Sequence, residues 1–272
     1  MNSRILAWLI AVILGATMVI PLLWMISTSL KPDAQLLVFP PRLVTSQMTL
    51  GAYTRLFELF PMARMFFNSV IVTITATIGQ LVVCSMAAYA FARIQFRGKT
   101  VLFLVFLGTL MVPMQVILTP LFIEMRLLGW VNTYAGIIFP TMTIRVAFGV
   151  FLLRQAFAVI PRALEESAFM DGASHGSIFI RLALPLVRPA LATLMVLAFM
   201  DAWNSFLWPL LVVRDTNMMT LPVGLSALHG RYSTAWNMVM AGVVISVVPI
   251  IVLFMSAQRY FVEGLARAGI KE

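Results

Sequence analysis

The sequence predicts an all-α membrane protein that crosses the bilayer six times. Hydrophobic residues make up 61% of its 272 residues and charged residues only 11%, whereas a soluble domain averages about 25% charged residues. The mean hydropathy is +0.99, and six apolar runs reach the length of about 20 residues that a span needs. Lipid offers no partner for backbone N–H and C=O groups, so every span is predicted to be helical. The predicted spans are residues 5–28, 67–92, 101–123, 134–158, 188–213 and 238–260, in a single transmembrane domain over residues 1–272.

The first apolar run, residues 5–28, has the position of a signal peptide. Its apolar stretch is too long for one, and no small-x-small cleavage site follows it. We therefore interpret this run as a membrane anchor that stays in the mature protein.

The distribution of basic residues predicts the orientation. With the N-terminus in the cytoplasm, eleven Lys and Arg residues fall on the cytoplasmic side and seven on the outer side, as the positive-inside rule expects. The compact turn between Arg93 and Lys99 and the C-terminal tail contribute most to this bias. The net charge of +9 suits cytoplasmic loops beside anionic lipid, and no basic patch interleaved with aromatic residues indicates nucleic acid. The sequence predicts a multi-pass plasma-membrane protein with both termini in the cytoplasm.

Several chemical functions are excluded by the residues present. Gly98-Lys99-Thr100 resembles the end of a phosphate-binding loop, but such a loop needs a glycine where Arg93 stands. The two histidines, His175 and His229, fall in different loops, so no metal-ligand cluster is predicted. No nucleophile elbow is present either. We predict no catalytic residue, no metal site and no cofactor in this chain.

A polar segment of about 30 residues, 159–187, separates the fourth and fifth spans. Pro161 suits the first turn of a helix, where its missing N–H costs nothing. Glu165 and Glu166 would lie near the partly positive N-terminal end of that helix. Gly172 is placed to end it in a left-handed conformation.

A second short helix is predicted to follow the first. Ser174 can cap it, and it would run through Ile178 and Phe179 and end before Pro185. Four apolar side chains would form an exposed knob on this helical pair: Leu164, Ala168, Phe169 and Ile178. The alternative is an amphipathic helix lying on the membrane surface. The acidic pair weakens that alternative, since membrane-surface helices favour Lys and Arg.

Polar residues inside the spans predict a solute pathway. Asp201, Asn204, Ser205 and Trp208 recur at the spacing of one helical face in the fifth span. Shorter polar stripes occur in the second span, at Thr73, Thr77 and Gln80, and in the third, at Gln115 and Thr119. The alternative role for these stripes is interhelical packing and hydrogen bonding, which small and polar residues also serve.

Two charged residues, Arg145 and Asp201, are predicted to lie inside spans. Each costs about 2.5–3.5 kcal/mol at a helix centre on insertion scales, so such residues normally face a cavity or pair with each other. Both alternatives stay open from the sequence alone.

The polar segment and the last two spans resemble a known family. The run from Glu166 to Ala173, followed by Leu184-Pro185, resembles the EAA loop of binding-protein-dependent ABC importer permeases, with Ser167 replacing the first alanine. The runs Trp203-Asn204-Ser205-Phe206-Leu207-Trp208-Pro209-Leu210 and Gln258-Arg259-Tyr260-Phe261-Val262-Glu263-Gly264-Leu265 are similar to motifs of the carbohydrate-importer branch, the maltose-permease type. The first span, from Pro21 to Pro32, fits the same branch.

The resemblance implies a subunit that moves a sugar-like solute across the inner membrane. It would pair with a second homologous permease subunit, with two cytoplasmic ABC ATPase subunits that bind ATP and Mg²⁺, and with an extracytoplasmic solute-binding protein. The EAA loop would then sit in a cleft of one ATPase and act as a lever, with Glu166 in an ion pair and Gly172 at the bend. The residues implied in this coupling are Glu165, Glu166, Ser167, Ala168, Asp171, Gly172 and Ala173.

The outer loop at about 214–237 is aromatic and rich in glycine for a plain connector. The resemblance implies that it contacts the binding protein, through Gly224, Gly230 and Tyr232. The alternative is a loop packed against neighbouring outer segments.

Two classes of function remain after these observations. The first is the permease subunit of an ATP-driven importer. The second is a self-contained secondary transporter or channel for a polar solute, which has no reason to carry an ATPase-docking element. Within the first class, the sequence is compatible with a disaccharide, an oligosaccharide, an amino sugar or a glycerol phosphate.

Overall fold

A computed structural model describes residues 3–36, 38–228 and 235–268. All regular structure in these ranges is helical, which confirms the predicted all-α class. The described residues fall into two compact units. The first holds those up to Phe66 and those within Thr220–Pro249, and the second holds Phe67–Met219 and those from Ile250 to Ala268.

The long helices of the chain are α1 (Ser3–Ser29), α3 (Met62–Arg93) and α14 (Trp236–Ala268). Each contains a stretch that is long and apolar enough to cross a membrane, as predicted. Helix α2 (Gly51–Leu59) lies between the first two, after a short 3-10 turn at Asp33–Gln35.

The predicted span at 101–123 is interrupted. Helix α4 (Lys99–Gly108) leads through a 3-10 turn to α5 (Met114–Leu127), and the two parts are bent by 100°. The bend follows from Pro113, whose ring would clash with the carbonyl of Thr109 in a continuous helix.

The predicted span at 134–158 is also divided. Helix α6 (Tyr134–Thr143) and α7 (Val146–Ala158) are bent by 46° at Ile144 and Arg145. Arg145 has φ −114° and ψ 18°, outside the helical region, so this charged residue occupies the interruption.

The polar segment forms α8 (Arg162–Met170) and then a helical run made of α9 (His175–Ile178), a π-helical turn (Phe179–Ala183) and α10 (Leu184–Leu186). That run meets α11 (Arg188–Trp203) at an 80° bend.

The predicted continuous helix at 188–213 is wrong, because α11 ends at Trp203 and a new helix, α12 (Leu207–Val212), begins after three intervening residues. Pro209 is the physical reason, since its ring would clash with the carbonyl of Ser205 in an unbroken helix. In the part of the chain that the structure describes, three long helices and three bent pairs give up to six spans by length and composition, if each bent pair is one span.

The first unit is held together by buried polar contacts. Lys31 is buried, and its ammonium donates to the carbonyl of Arg42 at 2.6 Å. Asn237, at the start of α14, donates to the Lys31 carbonyl at 3.0 Å and to Asp33 Oδ1 at 2.7 Å. Helix α13 (Leu221–Ser226) belongs to this unit, and Gly224 lies against Met65.

The core of the second unit lies where α3, α7 and α11 meet. Gly149 on α7 allows this close approach, because an added Cβ would lie 2.6 Å from Cys84 Sγ and 3.1 Å from Leu194 Cδ1. Val150, Leu153 and Phe157 of α7 are fully buried in this cluster.

We predict that Gly149→Ala destabilises the protein by about 1–3 kcal/mol, the usual cost of an overpacked core. The midpoint of thermal unfolding, followed by size-exclusion chromatography with a fluorescent tag, should fall by several degrees. Gly15→Ala is the matched control, since nothing lies within 4 Å of the Cβ position at Gly15. Equal midpoints for the two variants would contradict this packing.

Candidate functional site

The polar segment 159–187, here called the polar loop, is a helix–turn–helix. Gly172 follows α8 with φ 81°, which confirms the predicted left-handed end. Its N–H donates to the Phe169 carbonyl at 2.9 Å, and the Ala173 N–H donates to the Ala168 carbonyl at 2.9 Å. These two bonds satisfy carbonyl groups that the end of a helix leaves without partners.

The second half of the polar loop differs from the prediction in its length. Ser174 caps α9 as predicted, accepting the Ser177 N–H at 3.3 Å. The predicted end before Pro185 is wrong, because the helical run continues to Leu186. The π-helical turn changes the backbone register ahead of Pro185, which then stands in the first turn of α10, where a missing N–H is tolerated.

One face of α8 is exposed and mixes acidic with apolar side chains. Glu166, Leu164, Phe169 and Met170 all lie on the surface. Of the other predicted coupling residues, Ser167, Asp171 and Gly172 are exposed, and Ala168 and Ala173 are half-buried. The predicted knob is wrong at Ile178, which is buried; Met170 takes the exposed position instead.

Glu165 points inward, away from the exposed face that its neighbour Glu166 occupies. Its Oε1 lies 3.1 Å from Arg93 Nε, at the end of α3, and the two side chains are only 11% and 7% exposed. The contact is ionic, since its alignment falls short of a hydrogen bond. Arg93 also donates through Nη2 to the carbonyl of Ile160, where the polar loop begins. One arginine thus holds two points of the loop.

Three aromatic rings pack beside this ion pair. Tyr89, one turn before Arg93, lies edge-on to Phe157 with centroids 5.5 Å apart. It also contacts Phe179 at 5.0 Å. Phe157 precedes the polar loop and Phe179 belongs to its second half, so one tyrosine of α3 contacts both the helix that leads into the loop and the second half of the loop.

The polar residues predicted on one face of the fifth span do not share a helical face. Asp201 lies in the last turn of α11, whereas Asn204 and Ser205 lie in the break after Trp203. The Asn204 side chain donates to the Met200 carbonyl at 2.8 Å. It therefore closes the end of α11.

Trp208 is fully buried, and its indole N–H donates to the Gly136 carbonyl at 2.9 Å. It packs in a second cluster with Val72, Met125 and Ile137. This hydrogen bond joins α12 to α6, so the indole N–H is not available to a solute.

A polar cavity of about 180 Å³ nevertheless collects several of the predicted pathway residues. Arg145 Nε and Asp201 Oδ2 are 3.0 Å apart in it, which confirms direct pairing as an arrangement of these two residues. The lining residues that the prediction includes are Gln80, Arg145, Asp201, Ser205 and Trp208. Those it missed include Met114, Thr141 and Phe206, and Phe206 lies in the break between α11 and α12.

The other polar stripes behave differently from one another. Thr73, Thr77 and Gln80 are all buried on α3, and the hydroxyls of Thr73 and Thr77 form no hydrogen bond in the described part of the chain. Gln115 and Thr119 on α5 are exposed and do not line the cavity. Burying hydroxyls without partners is costly, and of these three residues on α3 only Gln80 lines the cavity.

Of the predicted binding-protein contacts, Gly224 is buried in α13, where an added Cβ would lie 2.2 Å from Met65 Sδ. It therefore serves packing within the first unit. Gly230 and Tyr232 lie outside the described residues.

We predict that Glu165→Gln loosens the polar loop, because it leaves the Arg93 guanidinium buried without a countercharge, at a cost of about 3–5 kcal/mol. Hydrogen exchange of the amides in residues 159–187 should accelerate. Glu166→Gln is the matched control, since Glu166 is exposed. The double variant Arg93→Gln/Glu165→Gln should be milder than Glu165→Gln alone; equal protection in all variants would contradict the anchoring role.

Comparison with known proteins assigns the family. The profile of the family described as "binding-protein-dependent transport system inner membrane component" matches residues 80–267. The chain is 37% identical to an arabinooligosaccharides transport system permease protein of Halalkalibacterium halodurans, covering 99% of this chain and 98% of that one. It is 33% identical to a trehalose/maltose transport system permease protein of Thermococcus litoralis, covering 99% and 97%.

The fold matches a solved structure of a bacterial ABC transporter that imports the acidic polysaccharide alginate. The TM-score is 0.82 at 26% identity, covering 95% of this chain and 97% of the other. The chain belongs to the family of inner-membrane components of binding-protein-dependent transport systems.

Proposed function

We propose that this chain is the transmembrane permease subunit of an ATP-driven ABC importer that moves a sugar or sugar-like solute into the cytoplasm by alternating access. One observation carries the proposal: the polar loop is held rigidly by a buried ion pair while its other face is exposed. A rigid projecting element with exposed acidic and apolar side chains fits a lever that another protein moves.

An exposed loop that another protein moves implies that this chain works in a complex with partner proteins. The chain pairs with a second homologous permease and receives solute from an extracytoplasmic binding protein. Two ABC ATPase subunits bind ATP and Mg²⁺ and carry out hydrolysis, because this sequence has no phosphate-binding loop. Leu164, Phe169 and Met170 enter a cleft of one ATPase, with Glu166 placed for an ion pair.

The orientation that suits this assembly puts the polar loop and both termini on the cytoplasmic side. The excess of basic residues on that side supports it. A self-contained secondary transporter is disfavoured by the family to which the chain belongs.

Movement of the polar loop reaches the membrane helices by two routes. The first is the Arg93–Glu165 contact, through which α8 pulls on α3. The second is the backbone itself, since the helical run from His175 to Leu186 leads into α11. Helix α3 carries Gln80 and α11 carries Asp201, so both routes end at the polar cavity. Displacement of the loop therefore changes the geometry of the cavity.

A carbohydrate is the solute class that the relatives favour. Proteins similar to this chain are named for arabinooligosaccharides, for trehalose and maltose, and for alginate. Hydroxyl-binding groups beside aromatic side chains, as Gln80, Asp201 and Phe206 are in the cavity, suit a solute of this kind.

We expect Glu166→Gln to uncouple transport while the importer still assembles. Losing one partner of a desolvated interfacial ion pair costs about 2–5 kcal/mol. Solute-stimulated ATPase activity of the reconstituted complex should fall by about tenfold or more. Glu58→Gln, an exposed glutamate on α2, is the control. Wild-type coupling in the Glu166 variant would exclude the ion pair.

A second variant tests the turn of the lever. Gly172 has φ 81°, a conformation that a β-branched residue adopts only with strain. Gly172→Val should reduce solute-stimulated ATPase activity and leave the amount of protein in the membrane unchanged. Normal stimulation would show that the bend of the polar loop is unnecessary for coupling.

A further inference from the structure

The polar cavity is lined by an amide side chain that has no hydrogen-bond partner among the described residues. Gln80 lines the cavity and is only 5% exposed, and its side chain forms no hydrogen bond with another residue in the described ranges. The amide atoms of Gln80 are not among the fully buried atoms without a partner, so they reach the open space of the cavity. Such a group is retained where water or a ligand completes its hydrogen bonds.

The ion pair in the cavity is also incompletely satisfied. Arg145 and Asp201 meet through Nε and Oδ2 at 3.0 Å, and their side chains remain 62% and 39% exposed. The terminal guanidinium nitrogens and Asp201 Oδ1 make no hydrogen bond to the rest of the described chain. The pair therefore offers donors and an acceptor side by side, which suits a hydroxyl group that both donates and accepts.

The charge of the cavity is balanced. Arg145 and Asp201 are its two ionised lining residues, and the other polar lining residues, Gln80, Thr141 and Ser205, are neutral. The Asp201 carboxylate would repel an anionic solute at close range. The Arg145 guanidinium would not offset this repulsion, because the same carboxylate already neutralises its charge. A neutral solute is not repelled by this carboxylate.

The surroundings of the pair add an apolar side. Phe206 lies in the break between α11 and α12 and is partly exposed. Interrupted backbone at membrane depth is tolerated where it is buried in protein or lines a water-filled cavity. The two breaks that carry Arg145 and Phe206 therefore place polar and aromatic groups around the same space.

We propose that this cavity is a solute subsite for a neutral, hydroxyl-rich sugar unit, and that it disfavours a carboxylated or sulfated one. The hydroxyls bridge Arg145 and Asp201 and complete the hydrogen bonds of Gln80, while the Phe206 ring covers an apolar face of the sugar. The inference rests on the proposed importer function and narrows the class of solute. Proteins similar to this chain are named for a neutral carbohydrate in one case and for an acidic one in another, and the cavity favours the neutral kind.

Direct binding to the assembled importer in nanodiscs, without the binding protein, tests the subsite apart from the selectivity of the binding protein. The probes are tritiated maltotriose and arabinotriose, with trigalacturonate as the acidic competitor. The wild-type complex should bind at least one neutral trisaccharide. Trigalacturonate should displace that labelled probe at least about tenfold less effectively than the unlabelled neutral trisaccharide does. Preferred binding of trigalacturonate, or no binding of either neutral probe, overturns the inference.

Variants assign the binding to this chain. Gln80→Leu should raise the Kd of the neutral probe about fivefold, the worth of one neutral hydrogen bond. Gln155→Leu, at an exposed site on α7, should leave it unchanged. Asp201→Asn should weaken neutral binding and improve competition by trigalacturonate. If the Asp201→Asn variant fails to assemble, the Gln80→Leu variant alone tests the subsite. An unchanged Kd of the neutral probe in the Gln80→Leu variant overturns the inference.

ATP-driven uptake into proteoliposomes, with the cognate binding protein present, separates the two proposals. Uptake of a neutral or acidic sugar by wild-type complex supports the importer function whatever the binding assay gives. If no ATP-driven uptake of any sugar is observed, both the importer function and the solute subsite are contradicted.

Discussion

The contact between Arg93 and Glu165 is the interaction on which the rest of the second unit depends. It joins the end of α3 to the first helix of the polar loop, and both side chains are almost fully buried. The same guanidinium holds the carbonyl of Ile160, so the loop cannot swing freely about its start. Because a buried pair that loses one partner leaves an uncompensated charge, the loop and α3 are expected to move together.

The interrupted helices explain how polar groups come together in an apolar protein. Pro113 and Pro209 end continuous helices, and Arg145 occupies a third interruption. These breaks place Arg145 beside Asp201, 56 positions later in the chain, and bring Phe206 to the same cavity. In lipid, such breaks are stable only where protein or water satisfies the backbone, so the cavity and the breaks depend on each other.

Local features of the polar loop were predictable because they arise from short-range chemistry. The left-handed end at Gly172 and the cap at Ser174 need only neighbouring residues. The inward direction of Glu165 was not predictable, since it depends on Arg93, which is far away in the sequence. The burial of Ile178 likewise follows from tertiary packing, which a helical pattern of a few residues does not reveal. Periodicity failed at Asp201 and Trp208 because it assumed an unbroken helix, although Pro209 was a signal that the helix ends.

The polar loop and α3 are expected to move as one body through the Arg93–Glu165 contact. Electron–electron double resonance between spin labels at Ser167 and Gln95, with Cys84 replaced by alanine, measures it in the assembled importer with and without ATP. The account predicts one unchanged distance distribution in both states, and a broader one in the double variant Arg93→Gln/Glu165→Gln. A distance that shifts with ATP in the otherwise unaltered protein would contradict the account.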